Sequence, residues 1–128
     1  MALLDVQGIT KRFGGLVAVN SLSVSVEAGH IAALIGPNGA GKTTAFNVIA
    51  GFYQPNDGKV IFDGKDITNL RPDQVCKLGL TRTFQVVRPF RGISVLDNVM
   101  IGAYNRTSND RVARDKAYDV LKFMEMEK

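Results

Sequence analysis

Hydrophobic residues near the start of the chain alternate with polar ones in the manner of β-strands. Residues 3–9 have the composition of a strand. A half-exposed second strand is predicted where apolar residues alternate with serines: Ser21, Leu22, Ser23, Val24, Ser25 and Val26. Residues 31–35 are apolar on both faces, which is typical of a central parallel strand covered by helices. The pattern therefore predicts an antiparallel pair followed by a buried parallel strand.

Two further strands are predicted downstream. Residues 59–62 precede Asp63 and Gly64, a dipeptide typical of tight hairpin turns, so this strand is expected to return to the antiparallel sheet. Residues 80–84 are predicted to form a second core strand, which ends at Gln85.

Helical segments lie between and after these strands. A first helix is predicted over residues 42–50, before a glycine that would end it. A second is predicted over residues 72–78, where the residue before proline is extended and Gly79 follows the last turn. Ser94 has the side chain of a helix N-cap, and it predicts a third helix over residues 95–103.

A final helix is predicted after the polar loop 105–109. Its apolar residues recur at helical spacing, so they are expected to share one packed face. These residues are Ala113, Ala117, Val120, Leu121 and Met124.

Composition and charge indicate a soluble globular domain. The chain has 128 residues, of which 45% are hydrophobic, enough for one core. Its longest apolar run, residues 31–35, is far shorter than the roughly 20 residues that cross a bilayer, and the first residues lack a secretory pattern. Cys76 has no cysteine with which to form a disulfide, which favours a cytoplasmic location. The net charge of +4 is scattered, so nucleic acid is not expected as a partner.

The segment after the predicted strand 31–35 matches the pattern G-x-x-x-x-G-K-[ST]. Its glycines allow positive φ values, so that successive backbone amides can turn toward phosphate oxygens. The helix that follows adds the positive end of its dipole. The predicted phosphate-binding residues are Gly36, Pro37, Asn38, Gly39, Ala40, Gly41, Lys42, Thr43 and Thr44.

This motif predicts binding of ATP together with Mg²⁺. The Lys42 side chain would lie between the β- and γ-phosphates, and the Thr43 hydroxyl would be a magnesium ligand. Thr44 would donate a hydrogen bond to a more distal phosphate. With the patterns above, the motif indicates an α/β fold. Its parts would be a P-loop NTPase core of parallel strands and helices and an antiparallel β subdomain.

Residues outside the loop resemble two motifs of the ATP-binding subunits of ABC transporters, and the resemblance extends over essentially the whole chain. Lys11-Arg12-Phe13-Gly14-Gly15 resembles the aromatic A-loop, and the resemblance implies that Phe13 stacks on adenine. Thr83-Phe84-Gln85 resembles the Q-loop, which implies that Gln85 approaches both Mg²⁺ and the attacking water and senses the membrane partner. Taken alone, Phe13 also fits core packing, and Gln85 also fits a solvated strand end.

Four short stretches look like the ATPase subunits of branched-chain amino-acid importers: residues 14–19, 50–53, 66–68 and 82–85. Residues 86–101 resemble the start of the helical subdomain that docks onto the transmembrane subunit. Residues 1–128 would then be the N-terminal portion of a nucleotide-binding domain. That portion would comprise the antiparallel sheet and P-loop core over 1–85, and the Q-loop with the start of the helical subdomain over 85–128.

Three elements of this family are not found in the 128 residues: the Leu-Ser-Gly-Gly-Gln signature loop, the strand ending in Asp and Glu, and the switch histidine. His30, the only histidine, precedes the first core strand. The resemblance therefore implies ATP binding without appreciable turnover, by a piece of a longer protein. Its partners would be transmembrane permease subunits and a second ATP-binding subunit, at the inner face of the cell membrane.

Other classes of ATP-binding protein remain as alternatives. One is a regulatory module without transport, and another is the ATPase head of a DNA-repair protein, although no heptad repeats are present. A small P-loop kinase or GTPase is disfavoured, because no Asn-Lys-x-Asp guanine-reading motif follows and an antiparallel strand pair precedes the loop.

Overall fold

A computed structural model describes residues 2–37, 39, 41–84 and 88–126. The chain divides into two compact units, Met1–Arg82 and Thr83–Lys128. The assignment of residues 1–85 and 85–128 to parts of a nucleotide-binding domain stays a prediction. Among the described residues, every helix is too short or too polar to span a lipid bilayer.

The first unit is built on a long antiparallel hairpin. Strand β1 (Ala2–Phe13) pairs with β2 (Leu16–Glu27), and the last pair of residues before the turn is Phe13 and Leu16. Gly14 in the turn has φ +58°, a value that glycine adopts without strain. The predicted antiparallel pair is confirmed.

Two further strands extend this sheet. β3 (Asp57–Phe62) pairs with β1, and β4 (Lys65–Asp66) pairs with β3, which gives the strand order β2-β1-β3-β4. Asp63 and Gly64 form the predicted hairpin turn, with φ +50° and +78°. The hydroxyl and the amide of Thr68 both donate hydrogen bonds to the Asp66 carboxylate, the amide at 3.0 Å. These bonds hold the pKa of that carboxyl below its usual range.

Helices α1 (Lys42–Ile49) and α2 (Pro72–Leu78) are in the first unit, and both agree with the prediction. Arg71 is extended before the proline, with ψ 159°, and Gly79 ends α2 at φ +114°. The core of the unit joins residues from the sheet, both helices and the loop before α2: Val6, Ile9, Val19, Ala45, Val48, Val60, Ile67 and Val75.

The two parallel core strands are the part of the prediction that the structure corrects. Residues 31–35 and 80–84 belong to no strand in the described part of the chain. Ile31 and Ile35 are fully exposed rather than buried, at 101% and 91%. An apolar run becomes a strand only where a neighbouring strand accepts and donates its backbone hydrogen bonds. The described sheet contains antiparallel neighbours alone, and neither segment joins it.

The second unit contains the predicted helices α3 (Val95–Ala103) and α4 (Asp110–Phe123). Ser94 caps α3 as predicted, by accepting a hydrogen bond from the Asp97 amide at 3.0 Å. The small core of this unit includes Met100 of α3 with Ala113 and Ala117 of α4.

The predicted apolar stripe of α4 is narrower than expected. Ala113, Ala117 and Leu121, spaced four residues apart, are buried, whereas Val120 and Met124 are 41% and 58% exposed. Ala113 and Ala117 of this row pack against Met100 of α3, and the residues beside the row remain in solvent.

Asn109 gives a stability prediction for this unit. Its side-chain oxygen accepts hydrogen bonds from the amides of Arg111 (2.9 Å) and Val112 (3.2 Å). Asn109→Ala is therefore expected to lower the free energy of unfolding by about 1 kcal/mol, measured by urea denaturation followed through helical circular dichroism. Asn109→Asp retains the acceptor and should be close to neutral, as should Ser108→Ala beside it. Equal losses for the Asp and Ala variants would contradict the capping role.

Candidate functional site

The phosphate-loop segment lies between the end of residues 31–35 and α1. Gly39 and Gly41 both have φ +88°, a left-handed conformation that residues with a side chain rarely adopt. Of the predicted loop residues, Asn38 and Ala40 lie outside the described part of the chain. The two described glycines at the centre of the motif therefore have the curled backbone for which the motif requires glycine.

Strand β2 packs directly against this loop. A Cβ atom built on Gly41 would lie 2.0 Å from the carbonyl oxygen of Ala18 and 3.4 Å from a methyl carbon of Val19. The distance to the Ala18 oxygen is far inside van der Waals contact, so only a hydrogen atom fits at this position. Gly41 thus has two reasons to be glycine, its φ value and its contact with the strand.

The Lys42 side chain bridges the two ends of the loop. Its ammonium group donates a hydrogen bond to the carbonyl oxygen of Gly36, the first residue of the motif. This bond holds the positive charge over the loop rather than in open solvent. The arrangement suits an anion that lies inside the loop, because the ammonium has three donors and can bind the anion without leaving Gly36.

The N-terminus of α1 differs from those of the other described helices. The first helical hydrogen bond runs from the Ala45 amide to the Gly41 carbonyl at 2.8 Å, so the three preceding amides have no acceptor within the helix. No side chain caps α1, and no acidic residue lies in its first turn. The other described helices each carry an aspartate there: Asp73, Asp97 and Asp110. The positive end of α1 is therefore not neutralised by a cap or by a first-turn carboxylate, an arrangement that suits an anion.

A cavity of about 390 Å³ opens beside the loop. Residues 17–20 of β2 line it on one side, and Gly39, Gly41, Lys42 and Ala45 line it on another, with Leu34 and Ile35 nearby. A volume of this size suits a small organic ligand. Val17 lies next to Leu16, the pairing partner of Phe13, so the cavity extends from the loop toward the tip of the β1–β2 hairpin.

Two aromatic rings lie in contact near that tip. Phe13 and Tyr53 pack edge to face, with ring centroids 5.3 Å apart and ring planes at 77°. The ammonium nitrogen of Lys11 lies 5.2 Å from the Phe13 centroid and 5.9 Å from the Tyr53 centroid. The sequence motifs indicate Phe13 but not Tyr53, because the contact joins residues forty positions apart. The available signal for Tyr53 was an aromatic residue beside a turn-rich segment of the sequence.

The remaining predicted site residues are less completely described. Thr43 and Thr44 are the last residues of the phosphate-loop motif and lie in the first turn of α1. Thr43 is exposed and Thr44 is half-buried. Gln85, the predicted contact of Mg²⁺ and water, lies outside the described residues. Arg82, shortly before it, donates a hydrogen bond to the side-chain oxygen of Asn47 on α1. The described residues contain no group of three or more His, Cys, Asp or Glu side chains able to hold a metal ion.

The chain is similar in sequence to ATP-binding proteins of branched-chain amino acid transport. The probable branched-chain amino acid transport ATP-binding protein LivG of Archaeoglobus fulgidus is 38% identical, over 99% of this chain and 54% of its own length. The high-affinity branched-chain amino acid transport ATP-binding protein BraF of Pseudomonas aeruginosa is 41% identical, over 87% of this chain and 44% of its own length. The chain thus spans about half the length of these relatives.

Solved structures agree with these relatives. A nucleotide-free ATP-binding cassette from an ABC transporter has a TM-score of 0.82 at 35% identity, over 98% of this chain and 55% of that one. An ATP-binding cassette of an ABC transporter in its ADP conformation has a TM-score of 0.83 at 34% identity, over 99% and 55%. These likenesses confirm the predicted fold class.

The family is settled by a match over most of the chain. The family model described as ABC transporter matches residues 19–128, which include the phosphate loop, α1 and both helices of the second unit. The resemblance inferred from the sequence motifs is confirmed, and the chain belongs to the ABC transporter family.

Proposed function

We propose that this chain binds MgATP through the loop at residues 36–44. The observation that carries the proposal is the position of Lys42, whose ammonium group is hydrogen-bonded across the loop to Gly36. Lys42 begins α1, a helix that has no side-chain cap and no acidic residue in its first turn. A triphosphate placed there would meet the positive charge, the helix dipole and the unpaired amides together. One similar cassette is described in its ADP conformation, which supports a nucleotide as the anion.

Each residue of the site has a distinct task in this proposal. Backbone amides of the loop and of Lys42, Thr43 and Thr44 hold the phosphates, and the Lys42 ammonium binds their outer oxygens. The Thr43 hydroxyl is an oxygen donor of the kind that Mg²⁺ prefers, and Gln85 is proposed as a second such donor. When bound, Mg²⁺ neutralises part of the phosphate charge. Phe13 stacks on the adenine.

We further propose that the parent protein is the ATP-binding subunit of an importer for branched-chain amino acids. The support is the similarity to two branched-chain amino acid transport ATP-binding proteins, at 38% and 41% identity. In this proposal the subunit works at the inner face of the cell membrane with transmembrane permease subunits and a second ATP-binding subunit. The 128-residue chain itself binds nucleotide without appreciable turnover.

Isothermal titration calorimetry of the chain with MgATP and with MgGTP tests the nucleotide-binding part. We expect saturable one-site binding of MgATP, which excess EDTA weakens because the metal neutralises phosphate charge. Release of phosphate over the same period should remain at the level of buffer. Absence of saturable MgATP binding by the folded chain, or binding of MgGTP alone, would overturn the proposal.

A further inference from the structure

The segment that follows α1 is bonded to the end of β1. The amide of Asn56 donates to the carbonyl of Thr10 at 2.7 Å, and the Asn56 side chain accepts from the amide of Arg12 at 2.7 Å. Arg12 also lies 3.6 Å from the carboxylate of Asp57. Two hydrogen bonds and an ion pair therefore hold this segment beside the residue that precedes Phe13.

Tyr53 is positioned by α1 as well as by this segment. Its amide donates to the carbonyl of Asn47 in the last turns of α1 at 3.2 Å. The same helix carries the phosphate loop at its other end. The ring of Tyr53 is thus attached to the element that would hold the triphosphate, while its edge-to-face partner Phe13 belongs to the hairpin.

The two rings remain accessible although they pack on each other. Phe13 is 43% exposed and Tyr53 is 39% exposed, whereas an aromatic pair that served only the core would be buried. The Lys11 ammonium near both rings favours one arrangement of the pair. A flat base needs such a surface, because stacking requires a ring whose orientation is already fixed.

We infer that Tyr53 is a positioning residue of the nucleoside-binding site, which holds the Phe13 ring in the orientation that a purine base requires. The inference rests on the proposed nucleotide binding and adds a residue that the A-loop resemblance does not assign. Without Tyr53 the Phe13 ring gains rotational freedom. Binding a base then costs the conformational entropy of ordering the ring, which lowers the affinity. The effect should be confined to ligands that carry a base.

The test compares MgATP with magnesium tripolyphosphate, which has the phosphates but no base, by calorimetry on the 128-residue chain. Tyr53→Leu should weaken MgATP binding about three- to tenfold and leave tripolyphosphate affinity unchanged. Tyr53→Phe keeps the ring and should bind like the parent chain. Tyr118→Leu makes the same change on an exposed tyrosine of α4, in the second unit, and should have no effect.

Three outcomes would overturn the inference. Unchanged MgATP affinity in Tyr53→Leu, with binding lost in Lys42→Ala, rejects the role of Tyr53 and leaves the proposed function intact. Equal weakening of both ligands in Tyr53→Leu means that the tyrosine supports the fold rather than the base site. Failure of the parent chain to bind either ligand removes the proposed function and the inference together.

Discussion

Replacement of Lys42 by alanine is expected to weaken MgATP binding by at least about 100-fold, because a charged partner of the triphosphate is removed from the centre of the site. The ammonium group lies across the loop on the Gly36 carbonyl, where it can bind an anion held by the loop. The measurement is calorimetric titration of each variant with MgATP.

Two variants separate the charge of Lys42 from its packing. Lys42→Met keeps the aliphatic stem without the ammonium, and it should lose affinity as severely as the alanine variant. Lys65→Ala removes an equal charge from the exposed strand β4 of the same unit and should change affinity little at physiological ionic strength. If Lys42→Ala bound MgATP with the affinity of the parent chain, the loop would not be the nucleotide site.

Local patterns were sufficient to predict most elements of the fold. The β1–β2 pair, the Asp63-Gly64 turn and the Ser94 cap each depend on residues that are neighbours in the sequence, and each is present in the structure. Such features follow from backbone preferences and from short-range hydrogen bonds. They can therefore be inferred before any tertiary contact is known.

Features that depend on a distant partner were predicted less well. The apolar pattern of residues 31–35 indicates a segment suited to burial on both faces, but it does not specify which strand pairs with it. Ile31 and Ile35 remain exposed in the described structure, and the same limit applies to residues 80–84. On α4, the pattern did not show that only the row Ala113, Ala117 and Leu121 would be buried.

In the candidate site, too, the local features were predicted from the sequence and the contacts between separate elements were not. The phosphate loop is contiguous in sequence, so its motif predicted the positive φ values of Gly39 and Gly41. The contact of Phe13 with Tyr53 and that of Gly41 with Ala18 join separate elements, and no periodicity encodes them. The role of Gln85 stays a prediction.

The contact between Gly41 and β2 gives the second large expected effect. Gly41→Ala should lower the free energy of unfolding of the nucleotide-free chain by about 2–4 kcal/mol, because the residue would be strained at φ +88° and its methyl group would overlap the Ala18 carbonyl. The overlap involves backbone on both sides, so rotation of a side chain cannot relieve it. Relief requires the loop to move away from β2, which also predicts weaker MgATP binding.

Other glycines of the same unit separate backbone strain from the overlap. Gly64→Ala and Gly39→Ala place alanine at φ +78° and +88°, but an added Cβ meets no atom within 4 Å at either position. Strain alone should then cost about 1 kcal/mol in each, measured by urea denaturation without nucleotide. The excess loss in Gly41→Ala isolates the contact with Ala18. If all three variants lost equal stability, the close approach of the loop to β2 would have no energetic consequence, and positive φ alone would explain the glycine at position 41.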